Sequence, residues 1–401
     1  MIDQQLLQER TSKIKEAMVP MGLDALIIYS GPVSHGVSRP LGGSLGNVRY
    51  LTNLTSKFRA SLLLLPLHAD PVLLVPSLFD LAKAKEDHLW VTDIRCESVE
   101  RYGSVAKTYL LEKQIDAGRL GIVGQVEMPA PIYVDLLSDP CPWNIVLADD
   151  MFNAVRHLKE PQTVDLHRKA ARCSDLMFDS LRDGLKDPTL TAHQLLAKME
   201  FAARNEGCEL ATGWVTTGWP NDRPRFLPDE NDRLVKDGDP VTAGTYCVYN
   251  GYWGHGIRMG FKGSPQQEYL QLNKIILEIQ KAGSALLQAG NILESVPEAM
   301  SETAKKCLPD LEMKGSFRMG HVLGLDYGEQ PGSDAFPMPA GWPSGLRATS
   351  KSLELKTGMV FELHPNFVHP EFGLIIIGDM FLVTETGAER LTMFPDKLFL
   401  A

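Results

Sequence analysis

The stretch GTYCVYNGYWGHGIRMGF, residues 244–261, constrains the fold more than any other part of the chain. Aromatic and β-branched residues alternate on both sides of Asn250-Gly251, the dipeptide that suits a two-residue hairpin turn. The second half of the protein must therefore contain an antiparallel sheet built around this hairpin. A single histidine, His255, lies in its second arm, three residues before Arg258. On the alternating pattern of a strand it must face one side of the sheet together with its i±2 neighbours.

The rest of the chain divides around this hairpin. Short apolar runs at 24–30, 60–66, 71–76 and 119–124 alternate with helical patterns, which predicts an α/β domain over residues 1–155. Glu160-Pro161 marks a helix start, Thr191 caps a second helix over 191–207, and helical patterns follow at 267–290 and 296–308. Further strands are predicted at 358–364, 373–377 and 379–384. Helices around a mostly antiparallel sheet predict an α+β domain over residues 156–401. Residues 332–352 are rich in Gly, Pro and Ser without periodicity, and form a candidate lid containing Phe336, Trp342 and Arg347.

With 401 residues and a net charge of −10, the chain lacks the basic balance of a nucleic-acid-binding or anionic-membrane-binding protein. Its apolar runs are too short to span a bilayer. The six cysteines are scattered without a CxxC pair, and the polar N-terminal stretch has no apolar signal core. The expectation is a cytoplasmic protein with reduced thiols, acting on a small molecule.

Three of the ten histidines stand out. His255 sits in the hairpin, His321 in FRMGHVLGLDYGEQPG, and His364 in GMVFELHPNF, where Glu362 and His364 share one strand face. The other seven lie in loops, turns or helices with polar neighbours, and are read as surface or helix-end residues. Taken singly, a histidine in such a position is more often a satisfied core residue than a ligand.

Five segments add a resemblance: KDGD (236–239), GYWGHGIR (251–258), GHVLGLDYGEQPG (320–332), LKTGMVFELHP (355–365) and DMFLVTETGAERLT (379–392). In this order they resemble the pita-bread family of methionine aminopeptidase, aminopeptidase P, prolidase and the metal-free creatinase. The resemblance implies a C-terminal pita-bread domain, a smaller creatinase N-terminal-like α/β domain before it, and a homodimer. The family's peptidases hold two metal ions on Asp, Asp, His, Glu and Glu. Carried over position by position, these fall on Gly244, His255, His321, His364 and Gly378. None of the four carboxylates is kept, and the retained histidine is joined by two more.

The resemblance therefore implies a single divalent transition-metal ion, Zn or Fe, on His255, His321 and His364, with these same residues catalytic. Glu362 and Asp379, with Asn250 and Asp326, are candidates to orient the imidazoles from behind. Where the family has a histidine before KDGD, this chain has Arg225 or Phe226. Arg223 and Arg225 could hold a substrate carboxylate, as could Arg59, which matches an arginine that creatinase projects into its partner's site. Trp342 is a further substrate-binding candidate. The function implied is hydrolysis of a C–N bond in a small carboxylate-bearing substrate, without the dinuclear centre of an ordinary aminopeptidase. The alternatives are a three-His Fe(II) oxygenase or lyase, a metal-free creatinase-like amidinohydrolase, and an inactive binding module.

Overall fold

A computed structural model describes residues 2–31, 46–54, 60–87, 89–309, 319–329, 336 and 353–401. It forms two compact units, Met1–Arg156 with Leu325–Gln330, and His157–Gly324 with Pro331–Ala401. Arg59, Trp342 and Arg347 lie outside the described residues.

The first unit is a six-stranded mixed sheet flanked by helices. Its strands run in the order Asp93–Cys96, Val72–Val75, Ser61–Pro66, Ala25–Ser30, Gly118–Val123 and Trp143–Leu147. The four apolar runs seen in the sequence are the four central strands. The two outer strands were not predicted, because an edge strand needs no continuous apolar run; neither Asp93–Cys96 nor most of Trp143–Leu147 is buried. Leu325–Gln330 joins this unit through charge. Asp326 lies 2.8 Å from buried Arg156 and accepts the Gly46 N–H at 2.9 Å, with Glu329 3.3 Å from Arg156. Asp326 is thus engaged with Arg156 and not with a histidine.

Among the described residues the second unit contains three sheets: a two-stranded one, Asn366–His369 with Gly373–Ile376, and two larger ones that carry the site. In the first of the larger ones, Leu210–Thr217, Pro240–Tyr249, Tyr252–Phe261 and Phe399–Leu400 are neighbours in the order 399–400, 252–261, 240–249, 210–217. The hairpin forms as read: Asn250 and Gly251 both have positive φ, 47° and 89°, and Tyr249 pairs with Tyr252. Asn250 therefore serves the turn. The second sheet orders Gly320–Leu323, Val360–Leu363, Asp379–Thr384 and Gly387–Arg390 as antiparallel neighbours.

Helix Pro161–Gly184 lies on the hairpin, and the sequence permits this by omitting side chains there. A Cβ at Gly254 would lie 2.5 Å from the Ala170 carbonyl carbon and oxygen of that helix. The face carrying residues 254 and 256 is thus taken by the helix, and His255 must point the other way. Helices Gln267–Ser284 and Ser295–Cys307 close a second core with the second sheet. Phe336, expected in a lid, is buried in that core with its ring 6.4 Å from Phe361. His157 and His167, read as surface or helix-end residues, are also buried; His167 Nδ1 lies 3.0 Å from the Trp253 carbonyl.

Arg258 ties the two sheets together. Its fully buried guanidinium donates to Asp379 Oδ1 at 2.6 Å, to the Gly378 carbonyl at 2.6 Å and to the carbonyls of Phe394 and Pro395. Ile257 and Gly378 exchange backbone hydrogen bonds at 3.0 Å in both directions. Replacing Arg258 by Ala leaves the buried Asp379 carboxylate with Arg390 Nε, at 3.3 Å, as its remaining cationic partner among the described residues, a loss of up to about 3–5 kcal/mol. Arg258→Ala should lower the melting transition of the second unit sharply in calorimetry, and Arg258→Ala with Asp379→Asn should recover part of the loss. A single variant melting like the parent would show that the pair does not pin the sheets.

Candidate metal centre

The site lies in the second unit, where the two sheets meet. His255 comes from the hairpin. His321 and Glu362 are direct partners on adjacent strands of the second sheet, so their side chains share one face. His364 follows Glu362 by two residues, just past the strand end, and keeps the same face.

All three imidazoles turn toward one oxygen. Glu362 Oε2 lies 3.2 Å from His255 Nε2, 3.0 Å from His321 Nε2 and 3.6 Å from His364 Nε2. Glu362 is fully buried, and neither of its carboxylate oxygens has a well-formed hydrogen bond among the described residues. Close approach without hydrogen-bond geometry is what donor atoms show when they aim at a shared point instead of at each other. Each of His255, His321 and Glu362 offers a donor atom, and these atoms all lie within 4.8 Å of one another; His364 is not in this tightest group.

The proton positions sharpen the point. His255 Nδ1 lies 2.5 Å from the Thr245 carbonyl, and a carbonyl only accepts, so Nδ1 carries the hydrogen and Nε2 of the neutral ring carries a lone pair. Burial holds this histidine neutral by pushing its pKa down to about 4, against the opposing effect of the Thr245 hydrogen bond. His321 Nδ1 faces the Val322 carbonyl at 3.3 Å, which favours the same tautomer. The lone pairs of both rings then meet a carboxylate oxygen. Burial raises the Glu362 pKa well above the ordinary carboxylate range; nearby Asp379 adds to the rise and Arg258 opposes it.

Sequence reading places Glu362 behind the imidazoles; the structure puts it in their midst. Backbone carbonyls of Thr245 and Val322 take the orienting role expected of carboxylates. Asp379 is given over to Arg258 and to the Thr392 hydroxyl, which donates to it at 2.6 Å. Arg223 and Arg225 are bound within their own loop, to Glu230 at 2.5 Å and to Asp222 at 3.0 Å. Arg225 nevertheless keeps Nη1 buried without a hydrogen bond among the described residues.

Two residues at the site were missed. Tyr246 stacks on His255 with ring centroids 4.6 Å apart and planes 10° apart. This pairing was legible, because a two-residue turn at 250–251 puts 246 opposite 255. Trp214, from the strand beside the hairpin, had no signal. A Cβ built on Gly244 would lie 2.4 Å from its indole Nε1, so the indole fills the space of a side chain at 244. A Cβ on Gly378 would lie 2.4 Å from Glu362 Oε1, so the Glu362 carboxylate fills that space.

The architecture and this imidazole–carboxylate cluster define a hydrolase scaffold of the metallopeptidase type. The model of metallopeptidase family M24 matches residues 165–385, and the chain belongs to that family. The chain is 26% identical over 348 residues to the probable dipeptidase PepE of Mycobacterium tuberculosis, covering 85% of each chain. It is 25% identical to the ectoine hydrolase of Halomonas elongata, covering 74% of this chain and 73% of that one. Among solved structures, a recombinant prolidase from Thermococcus sibiricus matches with a TM-score of 0.77 at 20% identity, covering 100% of both chains. Among the described residues no helix is long and apolar enough to cross a membrane.

The donors present do not fit a two-ion centre built on carboxylates. The positions that the resemblance assigns to two of them are Gly244 and Gly378, and their side-chain space is occupied by Trp214 and Glu362. They do fit one ion. Donors about 2.0–2.2 Å from a common ion lie roughly 3.0–3.5 Å from one another, close to the separations around Glu362 Oε2.

Gly244→Asp tests the occupied space directly. The new side chain must displace a buried indole, an overpacking change worth about 1–3 kcal/mol. The expected outcome is a melting temperature lower by about 3–10 °C with a shift in tryptophan emission. Unchanged melting and emission would mean that the indole does not occupy this space in solution.

Proposed function

We propose that this chain is a mononuclear metal-dependent hydrolase that cleaves a C–N bond in a small, carboxylate-bearing substrate. One divalent transition-metal ion is held by His255, His321 and Glu362. The observation that carries this reading is the convergence of imidazole lone pairs on a buried carboxylate oxygen. A proton on Glu362 can satisfy one of those lone pairs, whereas a single cation satisfies all of them. The donor set of imidazoles with one carboxylate suits Zn or Fe(II).

Such an ion, when bound, polarises an oxygen and lowers the pKa of its water. The chain's own residues supply orientation and proton transfer. The Thr245 carbonyl holds the His255 ring in its tautomer, and Tyr246 covers the ring face. His364, farther from the carboxylate and at the edge of the group, is the imidazole left to deliver a proton to the departing nitrogen. Arg225 Nη1, which has no hydrogen bond among the described residues, is the donor offered to a substrate carboxylate. A relative named for acting on ectoine supports a small substrate other than a peptide, and the relatives named as dipeptidases support C–N cleavage. On the same reading the protein acts as a homodimer, following the family resemblance.

A second reading has one observation in its favour. The raised Glu362 pKa beside a neutral His255 also suits a metal-free pair in which a protonated Glu362 donates to an imidazole. Elemental analysis of freshly purified protein separates the two. The single-ion reading expects about one equivalent of Zn or Fe per chain, lost in His321→Ala and Glu362→Gln. Turnover of a panel of dipeptides, N-acyl amino acids and cyclic amidines should fall at least ~100-fold with chelator. Metal-free protein whose turnover ignores chelator would overturn the first reading in favour of the second. Bound iron with oxygen uptake would replace hydrolysis with oxygenase chemistry.

A further inference from the structure

Resting on the single-ion reading above, we infer that Gly378 is a positioning residue: the space left by its missing side chain is the seat of the Glu362 carboxylate. A Cβ at position 378 would lie 2.4 Å from Glu362 Oε1 and 3.0–3.1 Å from the Ile257 side chain. The Gly378 φ is not in the positive region, so its backbone places no demand for glycine. The demand is for volume.

The backbone at 378 cannot retreat from such a clash. The Gly378 N–H donates to the Ile257 carbonyl and its own carbonyl accepts from Ile257, both at 3.0 Å, while Arg258 Nη1 donates to that same carbonyl at 2.6 Å. Glu362 is equally fixed at its main chain, paired with His321 on one side and Met380 on the other. The part free to move is the carboxylate, since Oε1 has no hydrogen bond holding it among the described residues. A methyl group at 378 therefore turns the carboxylate away from the three imidazoles and leaves both strands in place. Shortening Glu362 to aspartate withdraws the carboxylate by about one C–C bond, ~1.5 Å, and relieves the clash.

The test compares the parent with Gly378→Ala, Glu362→Asp and the double variant, each titrated with Zn(II) alone against a chromophoric chelator, with melting temperatures recorded. The parent should bind about one equivalent. Gly378→Ala should bind at least ~10-fold more weakly while melting within a few degrees of the parent. The double variant should bind more tightly than Gly378→Ala and within a few-fold of Glu362→Asp. That recovery is the signature of steric seating, because general damage to the fold would add to the loss. Parent-like binding by Gly378→Ala, or a double variant no better than it, overturns the inference and leaves the single-ion reading standing. If Gly378→Ala fails to fold, the double variant must fold and bind; its failure also overturns the inference. A parent that binds no zinc overturns the single-ion reading, and the seat falls with it.

Discussion

The second unit depends on a carboxylate placed where no carboxylate is stable alone. Glu362 is wholly buried, and its only close titratable partners among the described residues are imidazoles. The nearby guanidinium of Arg258 is hydrogen-bonded to Asp379 and to backbone carbonyls. An ionised carboxylate in such surroundings is stable only with a compensating positive charge, or else it takes up a proton. Neutral His255 supplies no charge. On the single-ion reading the compensating charge is one small cation that several lone pairs reach at once; on the metal-free reading it is a proton on Glu362.

That constraint explains why the glycines lie where they do. Gly254 lets helix Pro161–Gly184 press on the back of the hairpin, which commits His255 to the opposite face. Gly244 makes room for the Trp214 indole and Gly378 for the Glu362 carboxylate. In each case a glycine gives up a side chain and a neighbouring segment fills the space, as close packing requires. Residues 362 and 378 are therefore one steric unit, and residues 214 and 244 another.

Much of this was legible because turn chemistry and period-two patterns are local. Asn250-Gly251 fixed the hairpin, its register and the direction of His255, and the same period put Glu362 on the face of His364. The register also implied Tyr246. What local patterns could not supply was which residues fill a space emptied elsewhere. Trp214 lies thirty positions from Gly244 in sequence yet pairs with it across the sheet, and a conformational reading of glycine gives no hint of an indole above it. Glu362 was seen but placed behind the imidazoles, because alternation gives the face of a side chain and not the depth its carboxylate reaches. Phe336 failed differently: a Gly- and Pro-rich composition suggested a lid, whereas one large aromatic in such a stretch had a core to fill. The outer strands of the first unit escaped notice because their limited burial removes the apolar signal.

The change in donors also alters the charge that a substrate meets. In the two-ion arrangement of the family, four carboxylates balance two divalent ions. On the single-ion reading, one divalent ion faces one carboxylate and neutral imidazoles, which leaves the centre with a net positive charge. In a buried setting that charge is weakly screened and attracts an anionic group strongly. The nitrogen-rich set also shifts preference from the ions favoured by oxygen donors toward Zn and Fe(II). On that reading, the added positive charge is what the carboxylate of a short substrate would answer.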